Sequence, residues 1–244
     1  MFLRLPSASS RIPFLPVFLF LAATLSHPPV TSAYCPVPEI RANGEFFKSD
    51  TVFIGTVLSI RETPDSDKDV GGWFYRMNVE EIFRGPASKV ITVYTENSSA
   101  RFPLEKGRKY LLFAYKQNGR LEIYGCGNSA LLSEASEALT RLKDLRSGKQ
   151  PSEIEGWVVA ETGGIDVSGV AVSVKSQSKS YTAFTDKDGW FHFPATPGRY
   201  KLDLSSKEYY VNGGDDFWYK LEGFVLHPGE CSSLQVVSVR HLSK

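Results

Sequence analysis

The side chains that could carry out catalysis are scattered along this 244-residue chain. Its four histidines stand singly, and none belongs to an HExxH motif or another i, i+4 pair that could hold zinc on one face of a helix. Serines are plentiful, but no GxSxG motif indicates a nucleophile on a sharp turn between a strand and a helix. The glycine pairs lack the context of a phosphate-binding loop and are typical of turns. The sequence therefore favours a protein without a catalytic residue, a cofactor or a metal ion.

The segment Asp186–Gly189 has the alternating carboxylates with which a calcium-binding loop opens. An EF-hand loop needs further oxygen ligands at its positions 5, 7, 9 and 12. This chain has Trp190, His192, Pro194 and Pro197 there. We therefore predict a turn between two strands.

A group of aromatic residues is a candidate binding surface. Five of them flank the polar segment 212–216 outside any strand alternation: Tyr209, Tyr210, Phe217, Trp218 and Tyr219. One interpretation is a platform for a glycan or a protein partner, with Tyr209, Tyr210, Trp218 and Tyr219 as its contacts. The other is that these rings cap the end of a small β domain, where aromatic burial is common.

The first 33 residues have the composition of a secretory signal peptide. Arg4 and Arg11 precede the apolar run 14–25, and Thr31 and Ala33 are small residues at positions −3 and −1 of a cleavage site. The apolar run is shorter than the roughly 20 residues that cross a bilayer. We expect cleavage after Ala33 and a mature chain without a membrane span. Its predicted location is extracellular, or periplasmic in a Gram-negative source.

The mature chain is nearly neutral. Removal of the signal peptide takes away two arginines and leaves 26 basic and 27 acidic residues. This balance gives no electrostatic reason to expect nucleic acid as a partner.

The periodicity of strands begins at Thr51 and predicts an all-β fold with one or two helices. Five strands are predicted as a meander, at 51–60, 73–83, 89–95, 109–116 and 120–124, with a tight turn at Asn118-Gly119 before the fifth. The spacing then becomes helical across Ala130–Arg146, and a second helix is predicted at Glu39–Lys48. After Gly148 and Pro151, short strands with close turns predict a β-sandwich. The predicted domains are 34–148 and 153–244.

All three cysteines belong to the exported part of the chain, where disulfides form. Cys35 and Cys126 bracket the first predicted domain, and a disulfide between them could contribute about 4–5 kcal/mol in the chain-entropy model. Cys231 is then left over, either buried or available to a partner. The sequence alone allows other pairings.

The first domain resembles the tissue-inhibitor-of-metalloproteinases or netrin-like module, whose fold is an OB-type five-stranded barrel with a C-terminal helix. The resemblance lies in Cys35, Phe46, the run 49–57, the segments 82–85, 102–107 and 110–114, and Gly125–Gly127 before the closing helix. It covers about residues 34 to 147.

This resemblance implies an inhibitory contact at the N-terminus, through Tyr34, Cys35 and Pro36. In the family, a cysteine at the first position presents its amino nitrogen and carbonyl oxygen to the zinc of a metalloprotease. Here Tyr34 precedes Cys35 and turns that amine into an amide, which is a poor zinc ligand. Zinc chelation therefore requires trimming of the chain to Cys35.

The second domain resembles the carboxypeptidase regulatory-like, transthyretin-type sandwich. The resemblance lies in the segments 154–159, 167–172, 185–193 and 197–200. In that family the module is an accessory fold without catalytic residues, so the resemblance predicts a fold and not an activity.

The leading hypothesis from the sequence is a secreted, non-catalytic protein whose barrel binds an extracellular protein, with a zinc metalloprotease as the implied partner. A second hypothesis is an extracellular carbohydrate-binding or cell-surface adhesion module that uses the aromatic residues Tyr209 to Tyr219. A third is an enzyme with an unrecognised site.

Overall fold

The computed structural model of this protein describes residues 40–64, 71–160, 166–203, 209–211 and 223–241. These residues are mostly strands with two helices, which confirms the predicted fold class. Ala33–Lys244 forms one structural unit. The predicted signal peptide lies outside the described residues. Within the described ranges, neither helix is long and apolar enough to cross a membrane.

The first half of the chain closes into a barrel. Its elements are α1 Ala42–Lys48, β1 Thr51–Thr63, β2 Gly72–Arg84, β3 Val90–Glu96, β4 Lys109–Gln117, β5 Arg120–Glu122, β6 Ala130–Leu131 and α2 Ser136–Arg146. The sheet order is β1-β2-β3-β5-β4-β6, and β4 also pairs with β1. This second pairing closes five strands into a ring, as in an OB-type barrel.

The strand pairing of the barrel differs from that of the predicted meander. The Asn118-Gly119 turn does join β4 to β5, and both residues have the positive φ angles that such a turn requires. However, β5 then pairs with β3 in the parallel direction. Closure of the ring removes the free edge that an open meander would leave there.

The stretches 52–54 of β1 and 110–114 of β4 are continuously apolar because both of their faces are buried. Val52, Ile54 and Phe113 pack under the helices, whereas Phe53 and Leu112 point into the barrel. A strand covered on both sides loses the usual alternation of apolar and polar residues.

The helix α2 is shorter than the predicted Ala130–Arg146. Ala130 and Leu131 pair with β4 as the short strand β6, so the helix begins only at Ser136. Leu131 packs against the barrel core. The apolar side chain of Leu131 therefore packs as part of a strand, and not as part of the helix that its spacing in the sequence predicted.

The second half of the chain forms a sandwich of two four-stranded sheets. Its strands are β7 Glu153–Ala160, β8 Ala171–Lys175, β9 Ser180–Phe184, β10 Trp190–Pro194, β11 Gly198–Asp203, β12 Tyr209–Val211, β13 Phe224–Leu226 and β14 Cys231–His241. The first sheet has the order β10-β7-β14-β12 and the second has the order β13-β11-β8-β9. A core that includes Ile154, Val172, Phe191 and Tyr200 fills the space within this half.

The helix α1 joins the barrel to the sandwich. Its residue Gly44 lies so close to β14 that an added Cβ would collide with the carbonyl oxygen of Cys231. Asn43 Nδ2 donates a hydrogen bond of 2.9 Å to the Gly229 carbonyl. The ring of Phe47 stacks on His227, with 4.8 Å between the ring centroids.

An ion-pair bridge strengthens this joint. Arg41, which directly precedes α1, places Nη1 at 2.7 Å from Glu153 Oε2 and Nε at 2.9 Å from Glu155 Oε2. The side chain of Glu155 is only 4% exposed and that of Arg41 is 35% exposed. The guanidinium therefore compensates a carboxylate that has lost most of its water.

We predict that Gly44→Ala destabilises the protein by about 1–3 kcal/mol, because the obstacle to the new methyl group is a backbone carbonyl that cannot rotate away. The free energy of unfolding in urea measures the effect. Gly198→Ala is the matched control, since its Cβ would meet only ordinary contacts with the ring of Tyr200. An equal stability of the two variants would contradict the close approach of α1 to β14.

We predict that Arg41→Met lowers the free energy of unfolding by about 3 kcal/mol, the low end for a broken buried pair because Arg41 is partly exposed. The control is Arg141→Met, which breaks only the pair with Glu137, a residue whose side chain is 82% exposed. Exposed i, i+4 pairs contribute at most about 0.5 kcal/mol. Urea unfolding of both variants tests the difference, and equal losses would show that the Arg41 bridge contributes no more than a surface pair.

Candidate functional site

The residues of the predicted N-terminal contact, Tyr34, Cys35 and Pro36, lie outside the described residues. Cys126 is disulfide-bonded, but its predicted partner Cys35 lies in that same outside segment, so the pairing stays a prediction. Cys231 is a free thiol and is fully buried. Burial is the main reason that its pKa is raised, which keeps it in the protonated and unreactive form.

The predicted aromatic platform is described only in part. Trp218 and Tyr219 lie outside the described residues. Tyr209 and Tyr210 belong to the strand β12, which pairs with the end of β14 at His241 and Arg240. The segment therefore contains a short strand where the sequence predicts no regular alternation.

The segment Asp186–Gly189 is a turn, as predicted. Asp186 Oδ1 accepts backbone hydrogen bonds of 2.9 Å from both Asp188 and Trp190. This carboxylate oxygen thus holds the turn closed. Among the residues that the structure describes, no group of three or more His, Cys, Asp or Glu side chains could hold a metal ion.

A buried carboxylate in the barrel accepts hydrogen bonds on both of its oxygens from residues of the same chain. Glu45 on α1 is 2% exposed. Its Oε1 accepts a hydrogen bond of 2.6 Å from Tyr115 Oη, and its Oε2 accepts two more of 2.6 Å from the backbone and side-chain nitrogens of Asn128. Burial raises the pKa of Glu45 more than these bonds lower it. The arrangement ties the loop after Cys126 to α1, which is a structural role.

A second buried carboxylate, Glu230, lies beside the joint between α1 and β14. Its Oε2 accepts a hydrogen bond of 2.7 Å from the backbone nitrogen of His227. Desolvation raises its pKa, opposed by this hydrogen bond and by the charges of His227 and Lys48. Ionisation of Glu230 in the folded state therefore reduces the free energy of unfolding.

The sequence did not single out the outward face of the second sandwich sheet, which we call the outer face. Alternate residues of β8 and β11, including Val172, Val174 and Tyr200, point into the core. The residues between them point away from it. The outer face thus includes Ser173, Lys175, Ser180, Thr182, Phe184, Arg199, Lys201 and Val225, placed by the registers of the four strands.

Phe184 is the unusual member of the outer face. It is 68% exposed, more than any other large apolar side chain in the described part of the chain. Close to it on the same face, the hydroxyls of Ser173 and Thr182 lie 2.8 Å apart in a hydrogen bond. Phe184 and these hydroxyls therefore offer apolar contact and hydrogen bonding on one surface.

One end of the outer face opens into a cleft of about 950 Å³, here called the end cleft. It lies between the β8–β9 turn and the β10–β11 turn. Lys179 Nζ donates a hydrogen bond of 2.9 Å to Thr196 Oγ1, and Tyr200 Oη donates one of 2.7 Å to the Thr196 carbonyl. Tyr181 Oη accepts a hydrogen bond from the Thr196 nitrogen at 3.2 Å. Hydrogen bonds from Thr196 lower the pKa of Tyr181.

Comparisons with known proteins identify no family for this chain. No family model and no curated protein matches it. Among solved structures, the minor pilin GBS52 of Streptococcus agalactiae is 12% identical, with a TM-score of 0.27, and covers 80% of this chain and 84% of its own. The major pilin T-13 of Streptococcus pyogenes is 10% identical, with a TM-score of 0.21, and covers 83% and 93%. Likenesses this weak carry no information about function.

We predict that the contribution of Glu45 and Glu230 to the stability of the protein falls as the pH rises above about 4.5, the ordinary pKa of a glutamate. The folded state binds the protons of Glu45 and Glu230 more tightly than the unfolded chain does, so their contribution is complete at low pH and is lost as these groups ionise. In Glu230→Gln, which keeps an acceptor for the His227 nitrogen, the contribution of Glu230 is absent, so the stability lost by the unsubstituted protein relative to this variant should grow as the pH rises. Urea unfolding at a series of pH values measures it.

The control for this pH series is Glu137→Gln, which changes a solvent-exposed carboxylate on α2. Its pH dependence should follow that of the unsubstituted protein. If Glu230→Gln also follows it, the burial of Glu230 does not affect the proton balance of folding.

Proposed function

We propose that this protein is an extracellular, non-catalytic accessory module that binds carbohydrate on the outer face of its second sandwich sheet. The observation that carries the proposal is the exposed ring of Phe184 beside the hydroxyls of Ser173 and Thr182. The extracellular location is supported by the composition of the first 33 residues.

The chemistry of the outer face suits a sugar ring. One side of a sugar presents C–H groups that pack against an aromatic ring, while its rim presents hydroxyls that both donate and accept hydrogen bonds. Phe184 supplies the aromatic surface, and Ser180 and Thr182 on the same strand supply hydroxyls.

The size of the outer face suits an oligosaccharide. From the row that contains Lys175 to the row that contains Phe184 is four residues along the strands. At about 3.3 Å per residue, this distance is roughly 13 Å. The face is therefore longer than a single sugar ring, and a chain of sugars can contact both rows.

The aromatic residues predicted from the sequence are a separate candidate surface. Tyr209 and Tyr210 lie on β12, which belongs to the first sheet, whereas Phe184 lies on the second. Their predicted role with Trp218 and Tyr219 stays a prediction.

A second candidate function is binding of a protein partner by the barrel. β1 pairs with β4 only from Thr51 to Thr56. Beyond this point Leu58 and Ile60 are both 41% exposed, and exposed apolar residues on a strand edge favour pairing with another chain. Inhibition of a zinc metalloprotease through Tyr34, Cys35 and Pro36 stays a prediction, because these residues lie outside the described ranges.

The proposal predicts that Phe184→Ala weakens glycan binding about tenfold, which corresponds to about 1.4 kcal/mol. The mature protein is first screened on a glycan array, and the affinity of each hit is then measured by calorimetry. Val90→Ala, an exposed apolar residue of the barrel, is the matched control and should bind as the unsubstituted protein does. An array without any hit, or equal affinities for both variants, would refute the proposed function.

A further inference from the structure

We infer that the end cleft binds the carboxylate or sulfate groups of an acidic polysaccharide. This inference rests on the proposed carbohydrate function and adds to it the charge class of the ligand and a second contact region. The end cleft shares Lys175, Arg199 and Lys201 with the outer face, so one sugar chain can occupy both.

The lining of the end cleft has one sign of charge. Among the described residues that line it, the four charged ones are Lys175, Lys179, Arg199 and Lys201, and the others are uncharged. A cleft lined by one sign of charge concentrates ligands of the opposite sign. Because the chain as a whole carries a net charge of only +1, this clustering is a local property and not the result of a basic protein.

Most of these cations lack an anionic partner within the described part of the chain. Lys179, Arg199 and Lys201 take part in none of its ion pairs, whereas exposed cations such as Lys187 and Arg146 pair with nearby carboxylates. Arg199 and Lys201 are both exposed. Their charges are available to a ligand without the loss of an existing salt bridge.

The strand register places two of the cations directly opposite each other. Lys201 on β11 is the cross-strand neighbour of Lys175 on β8. One negatively charged group of a ligand can therefore lie within reach of both side chains.

The polar groups around the cations suit the rest of a sugar. Ser176, Gln177 and Ser178 form the turn at one wall of the end cleft, and Thr196 contributes a hydroxyl at the other. The turn is held by Ser176 Oγ, which accepts a hydrogen bond of 2.9 Å from the backbone nitrogen of Lys179. The side chains of Gln177 and Ser178 are exposed and can donate to hydroxyl and ring oxygens.

The spacing of the cations favours a polymer with repeated charges over a single small anion. Arg199 and Lys201 are two residues apart on one strand, at about 6.6 Å, and Lys175 lies across the sheet at about 4.8 Å. The Phe184 end of the outer face extends the contact in the same direction. One phosphate or sulfate ion would use only part of this surface.

The experiment compares three forms of one sugar chain: an unsubstituted cello-oligosaccharide, its carboxylated form and its sulfated form. We expect the two acidic forms to bind at least tenfold more tightly than the neutral form. Their affinity should fall as salt rises from 0.05 to 0.5 M, because the cations are exposed and are screened. The preference between carboxylate and sulfate identifies which acidic group the end cleft recognises.

The site is tested with the double variant Arg199→Gln and Lys201→Gln. It should lose at least tenfold in affinity for the acidic sugars and keep its affinity for the neutral one. The matched control is Lys89→Gln and Lys106→Gln, which removes two exposed positive charges from the barrel and should bind as the unsubstituted protein does. An unchanged urea midpoint shows that each variant is folded.

The outcomes separate this inference from the proposed function. Equal binding of neutral and acidic sugars, unaffected by the double variant, would overturn the inference and leave the proposed function standing. Failure of all three sugars, with no array hit, would overturn both. Binding of polyphosphate or single-stranded DNA as tightly as the sulfated sugar would overturn the assignment to carbohydrate, and so would binding of free phosphate with the same affinity as the oligosaccharides.

Discussion

The arrangement of the two halves of this molecule depends on one short helix that is held from both sides. Toward the sandwich, Arg41 neutralises the buried carboxylate of Glu155, and Gly44 lets the helix backbone approach β14 without a side chain between them. Toward the barrel, Glu45 anchors the same helix to β4 and to the loop after Cys126. Because a buried charge without its partner is costly, these contacts favour a single arrangement of barrel and sandwich.

The surface chemistry of the sandwich follows from its packing. Each strand of the second sheet gives alternate side chains to the core, so the others must form a continuous outer face. The core therefore decides which residues become neighbours on the surface. Lys175 and Lys201 are far apart in the sequence but are neighbours across two strands. Arg199 lies on the same face as Lys201 because Tyr200, which stands between them in the sequence, points into the core. The candidate site is in this sense a by-product of how the core is filled.

The sequence predicted the elements better than the site. Alternation and turn residues were sufficient for most strands and for the turns at Asn118-Gly119 and Asp186–Gly189. They were not sufficient for the parallel pairing of β3 with β5, or for the start of α2, because both depend on contacts between distant segments.

The outer face could have been found only in part. In the segment Ser180–Phe184, the alternation places Phe184 on the same side as Ser180 and Thr182, which is a readable signal of exposure. The opposition of Lys175 and Lys201 is different, since it is set by the register of two strands and no local pattern predicts it.

The free thiol of Cys231 lies where α1 meets β14 and is closed to solvent. A thiol-specific dye would thus react with Cys231 in molecules whose helix α1 has moved away from β14. The rate of labelling would report how frequently the barrel and the sandwich separate.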